Sequence, residues 1–86
     1  MHVTVISPES AIFDGEADAV TVPAYDGSLG VLSRHAPMMT LLGEGELVVR
    51  QGDRTRRFQL RGGFLQVVHD RVRVVAEHVQ ENKTDA

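Results

Sequence analysis

The fold of this chain is decided by residues 64–79, which read FLQVVHDRVRVVAEHV. After the pair His69-Asp70, apolar and polar residues alternate, so that Val72, Val74 and Ala76 fall on one side of an extended chain. A period of two is the signature of a β-strand, and branched side chains such as valine favour it. The stretch therefore predicts an antiparallel strand with one wet face, preceded by a turn.

The same period extends outward along the chain, in residues 20–24, 46–50 and 57–61. Turn-forming residues separate these runs at short intervals, which suits hairpins and meanders. They are Asp14-Gly15, Asp26-Gly27, Gly43, Gly45, Gly52-Asp53, Gly62-Gly63 and His69-Asp70. The fold class predicted is all-β: a flattened antiparallel β-sandwich or barrel of about ten short strands. Parallel βαβ units have no room for their crossover helices.

The chain has 86 residues, which is enough for one domain. Residues 1–79 carry the strand pattern and form the predicted β-sandwich domain. Residues 80–86 are polar and lack an apolar face, so we expect them to form a frayed tail.

Composition and charge exclude several classes of protein. The chain contains no cysteine and no apolar stretch long enough to cross a bilayer, so we expect no disulfide and no direct membrane insertion. The first 33 residues contain acidic side chains but no Lys or Arg, whereas arginines dominate residues 50–73. Those arginines lack interleaved aromatic residues and the net charge is −3, so nucleic-acid binding is disfavoured.

Candidate catalytic and metal-binding residues do not assemble into a known site. Asp14 and Glu16 are more simply explained as solvated acids at a hairpin tip than as a carboxylate pair. Ser28, Ser33 and His35 come without any recognisable oxyanion-hole pattern. The histidines lack the close spacings that place two imidazoles on one metal; they are His2, His35, His69 and His78. We predict no catalytic, metal or nucleotide site and no cofactor.

The segment from Tyr25 to Leu42 is the unusual part of the sequence. Pro37 favours an extended conformation of the residue before it, so His35 is predicted on a stiff, non-helical loop. Met38 and Met39 are adjacent, and adjacent strand residues face opposite ways, so one of them should point outward. An exposed methionine beside a stiff loop favours contact with another protein.

The order of motifs resembles the N-terminal domain of the epsilon subunit of bacterial F-type ATP synthase, from about Val3 to Val79. The resemblance is carried by residues 5–9 (VISPE), 12–20 (IFDGEADAV), 23–32 (PAYDGSLGVL), 35–40 (HAPMMT), 62–67 (GGFLQV) and 72–77 (VRVVAE). It implies a ten-stranded β-sandwich in the rotary central stalk, held between the gamma subunit and the membrane ring of c subunits. Such a subunit is noncatalytic and couples proton flow to ATP synthesis.

The resemblance also implies which residues meet which partner. Asp26, Gly27, Ser28, Arg34 and His35 match positions that face the polar loops of the c-ring. The gamma subunit, and through it the rest of the catalytic head, is reached by a second set, Met38, Met39 and Thr40. The location implied is the cytoplasmic face of the bacterial inner membrane, as a peripheral protein.

The sequence departs from the family pattern in two places. The family often has Pro-Gly before His-Ala-Pro, where this chain has Ser33-Arg34, which bears on the backbone shape and charge of the loop. The family usually continues into two C-terminal helices that inhibit ATP hydrolysis and in some members bind ATP. Since the sequence stops at Ala86, we expect assembly and torque transmission here without either helix function.

Two other classes of function fit the composition less well. A β-sandwich that binds a carbohydrate or another small ligand usually needs aromatic platforms, and the chain has no Trp and one Tyr. A metal-dependent β-barrel enzyme is disfavoured by the spacing of the histidines.

Overall fold

The computed structural model describes residues 1–24 and 27–82. The described residues form eight strands in one mixed, open sheet. The strands are β1 (His2–Ile6), β2 (Ala11–Glu16), β3 (Ala19–Ala24), β4 (Gly27–Leu32), β5 (Met38–Leu41), β6 (Glu44–Gln51), β7 (Arg54–Val68) and β8 (Arg71–Asn82). Within these ranges no helix is long and apolar enough to cross a membrane.

The long hairpin of β7 and β8 divides the sheet into two leaves. β7 pairs with β6 through residues 54–61 and with β5 through residues 64–67, while β8 runs beside it along both parts. The first leaf has the order β2-β1-β8-β7-β5, and the second has the order β8-β7-β6-β3-β4. The all-β sandwich prediction is confirmed, but with eight strands, since β7 and β8 each run through both leaves.

A pair of glycines allows β7 to change partners. Gly62 and Gly63 have φ angles of 70° and 123°, which side-chain-bearing residues rarely adopt. A Cβ on Gly63 would lie 2.0 Å from the carbonyl oxygen of Val75 on β8. The backbones of the two strands therefore approach each other more closely than any other residue would permit. The sequence predicted a turn at this pair, and the structure corrects it to a bend inside a strand.

Local turn signals were right at some positions and wrong at others. Gly52-Asp53 and His69-Asp70 form the two-residue turns that precede β7 and β8. Asp14-Gly15 lies inside β2, where Asp14 pairs with Thr4 of β1. A short polar pair therefore marks a turn only where the flanking strands pair with each other, and β2 continues past Asp14 because β1 supplies its ladder.

The sheet is not wholly antiparallel. β1 and β8 pair in parallel, from His2 opposite Arg71 to Ile6 opposite Val75. These two strands lie near opposite ends of the chain, so the rest of the domain connects them and no crossover helix is needed. The predicted all-antiparallel sheet is therefore wrong at this one pairing.

The core lies between the two leaves and contains the predicted inward residues. Phe13 and Phe58 pack edge to face across it, with ring centroids 5.9 Å apart and an interplanar angle of 66°. The other buried side chains are mostly valine and leucine, and all but Ala17, Val31 and Leu42 come from β1, β3, β6, β7 and β8. They are Val3, Val5, Ala17, Val20, Val22, Val31, Leu42, Leu47, Val49, Leu60, Leu65, Val67, Val72, Val74 and Ala76.

The predicted polar tail begins too early. β8 continues to Asn82, which pairs with Arg57, so residues 80–82 belong to the sheet. The main-chain ladder of β7 supplies their hydrogen bonds, although their side chains are polar. Residues 83–86 lie outside the described part of the chain.

Candidate protein-interaction surface

The described residues that were predicted to face the c-ring lie at or just beyond the two ends of β4, the edge strand of the second leaf. Gly27 and Ser28 begin β4 and are exposed, while Arg34 and His35 follow its other end. Asp26 lies outside the described residues. Because a strand rises about 3.3 Å per residue, the two ends of the six-residue β4 are about 17 Å apart. A partner that contacts both groups must therefore cover the whole of this edge strand.

The loop of residues 33–37 connects β4 to β5. Arg34 has a φ angle of 66°, in the left-handed region, and its main-chain N–H donates to Asp70 Oδ1 at 2.9 Å. The N–H of His35 donates to the carbonyl oxygen of Leu32 at 3.2 Å, and its Nδ1 lies 2.7 Å from the carbonyl oxygen of Ala36. The prediction that His35 lies outside the regular ladder is confirmed.

β5 carries the residues predicted to face the gamma subunit. Met38 is half-buried and packs against the core, whereas Met39 is 63% exposed. Thr40 is half-buried, and Leu41 is 65% exposed. The prediction that one methionine points outward is confirmed, and that residue is Met39. Met38 contributes to packing in this structure.

A row of apolar side chains crosses the outer face of the first leaf. Leu41 of β5 lies opposite Phe64 of β7, Phe64 lies opposite Val75 of β8, and Val75 lies opposite Ile6 of β1. Phe64, Val75 and Ile6 are only partly covered. Directly opposite residues have Cβ atoms about 4.5–5.5 Å apart, so these four side chains form a continuous strip. We call this strip the apolar row.

A mixed row runs beside the apolar row on the same face. Met39 lies opposite Gln66, Gln66 lies opposite Arg73, and Arg73 lies opposite Thr4. Methionine and arginine are both enriched at protein interfaces, and a contiguous exposed apolar patch marks a contact site. The first leaf thus presents an apolar strip next to an exposed arginine, a composition that suits a protein partner.

Sequence reasoning missed the apolar row. Ile6, Leu41, Phe64 and Val75 were not singled out, although a signal for two of them was present. Phe64 and Val75 each adjoin a buried residue of the same strand, so the alternation has apolar residues on both faces there. An apolar residue on the expected wet face was the available clue.

An ionic cluster lies on the first leaf where β1 pairs with β2. His2 Nδ1 lies 2.8 Å from Glu16 Oε2, and its Nε2 contacts the carboxylate of Asp14. The Glu16 carboxylate, and next the Asp14 carboxylate, raise the pKa of His2 above its ordinary value of 6.5. Both ring nitrogens are engaged, so this histidine joins the two strands. Among the described residues no group of three or more His, Cys, Asp or Glu is arranged to hold a metal ion.

The clefts do not resemble a carbohydrate site. One cleft of about 290 Å³ lies beside the bend of the long hairpin, and among the described residues its lining includes Glu44, Arg61, Glu77 and His78 but no Phe, Tyr or Trp. Phe13 and Phe58 are buried in the core. Since sugar and small-ligand sites usually depend on exposed aromatic or apolar walls, this arrangement disfavours the ligand-binding alternative.

Comparison with known proteins identifies relatives along almost the whole chain. The family described as "ATP synthase, Delta/Epsilon chain, beta-sandwich domain" matches residues 1–82. The ATP synthase epsilon chain of Caulobacter vibrioides is 41% identical over 81 residues, which cover 94% of this chain and 94% of that protein. The epsilon chain of Leptospira borgpetersenii is 37% identical over 78 residues, which cover 91% of this chain but 61% of that protein.

Two solved structures share the fold. A chain of the Euglena gracilis mitochondrial ATP synthase matches with a TM-score of 0.86 and 24% identity, covering 92% of this chain and 51% of that chain. A chain of the Tetrahymena thermophila mitochondrial ATP synthase central stalk and c-ring matches with a TM-score of 0.78 and 20% identity. That second match covers 93% of this chain and 65% of that chain.

Proposed function

This chain is an epsilon-type member of the ATP synthase delta/epsilon β-sandwich family, and we propose that it is a noncatalytic central-stalk subunit that links the gamma subunit to the c-ring. In this role it passes torque between proton flow and ATP synthesis. It works as a peripheral protein at the cytoplasmic face of the bacterial inner membrane. The apolar row, exposed on a domain of this family, is the observation that carries the proposal.

The gamma subunit binds the outer face of the first leaf in this proposal. Met39 and Leu41 contribute most of the exposed apolar surface, and Phe64 extends it towards β8. Burying a large apolar side chain contributes roughly 1.5–3 kcal/mol relative to leaving it exposed. A few such side chains are enough to anchor an interface, with Arg73 meeting a polar or acidic group at the rim.

The c-ring contacts the β4 edge and the loop of residues 33–37. β4 contains no charged residue, and Leu32 at its end is 65% exposed. Edge strands that face water are usually protected by charged residues or proline. The lack of charge on β4 therefore favours an edge that a partner covers. The positively charged Arg34 and the ring of His35 flank this edge. The ring surface is thus centred on β4 and the gamma surface on β5, and the loop of residues 33–37 joins these two strands.

Rigidity between the two surfaces follows from the long hairpin. β7 pairs with β6 before its bend and with β5 after it, and β8 pairs with both parts of β7. A force applied to β4 passes through β3 and β6 to β7 by main-chain ladders. Close packing of the valine-rich core resists shear between the leaves. A coupling subunit needs this stiffness more than it needs a pocket.

Binding to gamma is tested by mixing the chain with recombinant gamma subunit from the same source and weighing the complex by native mass spectrometry. We expect a one-to-one complex that weakens by at least about 100-fold when Met39 and Leu41 are both replaced by aspartate, because two apolar anchors are lost and replaced by charge. The matched control is Gln59→Asp, an exposed position on β7 in the second leaf. Unchanged binding by a folded double variant would overturn the assignment.

The ring assignment is tested by replacing Ser28 and His35 together with glutamate in the assembled enzyme. We expect ATP-driven proton pumping to fall relative to ATP hydrolysis, because acids at both ends of β4 disturb the contact along the whole edge. Undiminished coupling would count against this surface as the ring contact.

A further inference from the structure

Arg34 holds a backbone conformation that suits glycine better than arginine. Its φ angle is 66°, and for a residue with a Cβ the left-handed region is disfavoured by crowding with the following carbonyl oxygen. The chain therefore has a cationic side chain where the loop needs a glycine-like backbone. Some other contact has to hold the loop in this shape.

Asp70 makes that contact from a distant part of the chain. Its Oδ1 accepts a hydrogen bond from the main-chain N–H of Arg34 at 2.9 Å, and the two residues are 36 positions apart. The acceptor is a carboxylate, and hydrogen bonds to ionised groups are stronger than those between neutral groups. Because the bond uses the main-chain N–H, it leaves the guanidinium of Arg34 available to a partner.

Asp70 is itself firmly placed. With His69 it forms the turn between β7 and β8, and both residues have positive φ angles, 50° and 60°. A two-residue turn with both φ angles positive matches the twist of the paired strands and fixes their register. The carbonyl oxygen of Asp70 also accepts a hydrogen bond from the N–H of His2 at 3.1 Å, which ties the turn to β1.

We propose that Asp70 is a positioning residue for the loop of residues 33–37: it holds Arg34 in the left-handed conformation and so presents Arg34 and His35 to the partner at the β4 edge. The anchoring step stands on the observed hydrogen bond, whereas its consequence for coupling rests on the proposed function. The carboxylate thus compensates for the absence of glycine at position 34.

Two substitutions separate the hydrogen bond from the turn. Asp70→Asn keeps a side-chain oxygen acceptor, and asparagine tolerates positive φ. Asp70→Gly keeps the turn, since glycine adopts positive φ freely, but removes the acceptor. The difference between the two variants therefore reports the contact with Arg34, with the β7–β8 hairpin as an internal control.

Amide hydrogen exchange of the intact chain, followed by NMR, tests the anchoring step. In Asp70→Gly we expect the Arg34 amide to exchange at least about tenfold faster, while amides of the paired residues Val67 and Val72 keep their rates. In Asp70→Asn the Arg34 rate should stay within about threefold of the unchanged chain. An Arg34 rate that Asp70→Gly leaves unchanged would overturn the proposal.

Coupling in the assembled ATP synthase tests the consequence. We expect Asp70→Gly to lower the ratio of proton pumping to ATP hydrolysis, Asp70→Asn to preserve it, and gamma binding to stay intact in both. Adding Arg34→Gly to Asp70→Gly should restore the part of the coupling that depends on His35, because glycine needs no anchor, while the contact made by the Arg34 side chain stays lost. A merely structural role at Asp70 predicts no rescue. Faster Arg34 exchange with intact coupling would support the anchor and overturn the ring assignment instead.

Discussion

Replacing Gly63 with alanine should destabilise this domain more than any other single glycine substitution in the described strands. The added Cβ would lie 2.0 Å from the carbonyl oxygen of Val75 and 2.6 Å from the Cα of Ala76, and φ at this position is 123°. Backbone strain of this kind costs about 1–3 kcal/mol, and separating β7 from β8 loses one or two ladder hydrogen bonds of about 1 kcal/mol each. We therefore expect the free energy of unfolding to fall by about 4 kcal/mol.

That loss is large for a chain of this size. At about 0.05–0.15 kcal/mol per residue, the free energy of unfolding of the domain is roughly 4–13 kcal/mol. Since 1 kcal/mol shifts the midpoint of a small domain by about 4–8 °C, Gly63→Ala should lower Tm by about 20 °C or leave the chain unfolded. Circular dichroism measures Tm during heating and the free energy of unfolding during urea titration.

A graded series of glycine variants isolates the cause. Gly30 has room for a Cβ and no unusual φ, so Gly30→Ala should change stability by less than about 1 kcal/mol. Gly52 has room but a φ angle of 63°, so Gly52→Ala should cost about 1–2 kcal/mol from conformation alone. Gly63→Ala combines strain and collision. If Gly63→Ala cost no more than Gly52→Ala, the close approach of β7 and β8 would be refuted as the reason for glycine.

The further predictions concern single side chains and their partners. Arg34→Gly should be more stable than Arg34→Ala by about 1 kcal/mol in urea unfolding, because only glycine adopts a φ angle of 66° without crowding; equal stabilities would contradict this. The Arg56 guanidinium is ion-paired with Glu81 and lies 4.9 Å from the centroid of the Phe13 ring. Arg56→Ala should therefore lower the free energy of unfolding by about 1–2 kcal/mol, with the exposed ion pair contributing the smaller part. Glu81→Gln should cost less than Arg56→Ala. Because the Glu16 carboxylate raises the pKa of His2, the stabilisation from this pair is fully present below pH 6.5 and is lost as pH rises through the folded pKa; an NMR titration of His2 that gives a pKa at or below 6.5 would exclude it.

Strand type and inward residues were predictable because both depend on a local period. The alternation in residues 71–76 assigned Val72, Val74 and Ala76 to the core, and all three are buried. The two turns at Gly52-Asp53 and His69-Asp70 follow from residues that tolerate or require tight backbone geometry. Adjacent methionines on a strand had to point in opposite directions, which is how Met39 was expected at the surface.

The Gly62-Gly63 pair shows where local reasoning fails. A glycine pair between two apolar runs predicts a turn, and nothing in the neighbouring residues distinguishes it from a bend inside one long strand. The distinction depends on β5 and β6, which pair with successive parts of β7, and on the main chain of β8, which approaches β7 at Gly63. Those partners are brought there by packing of the whole domain.

By itself, the sequence determined the class of the fold and the resemblance to the epsilon family. It also determined the inward residues of the clearly alternating strands, such as Val72, Val74 and Ala76, because a strand's period assigns each side chain to one face without reference to any other strand. Only the tertiary structure decided the parallel pairing of β1 with β8, the apolar row and the contact between Asp70 and Arg34. The apolar row takes one residue from each of four strands, so it exists only once their registers are set. Registers between distant strands are set when both leaves bury their apolar faces against each other, and that condition belongs to the whole chain at once.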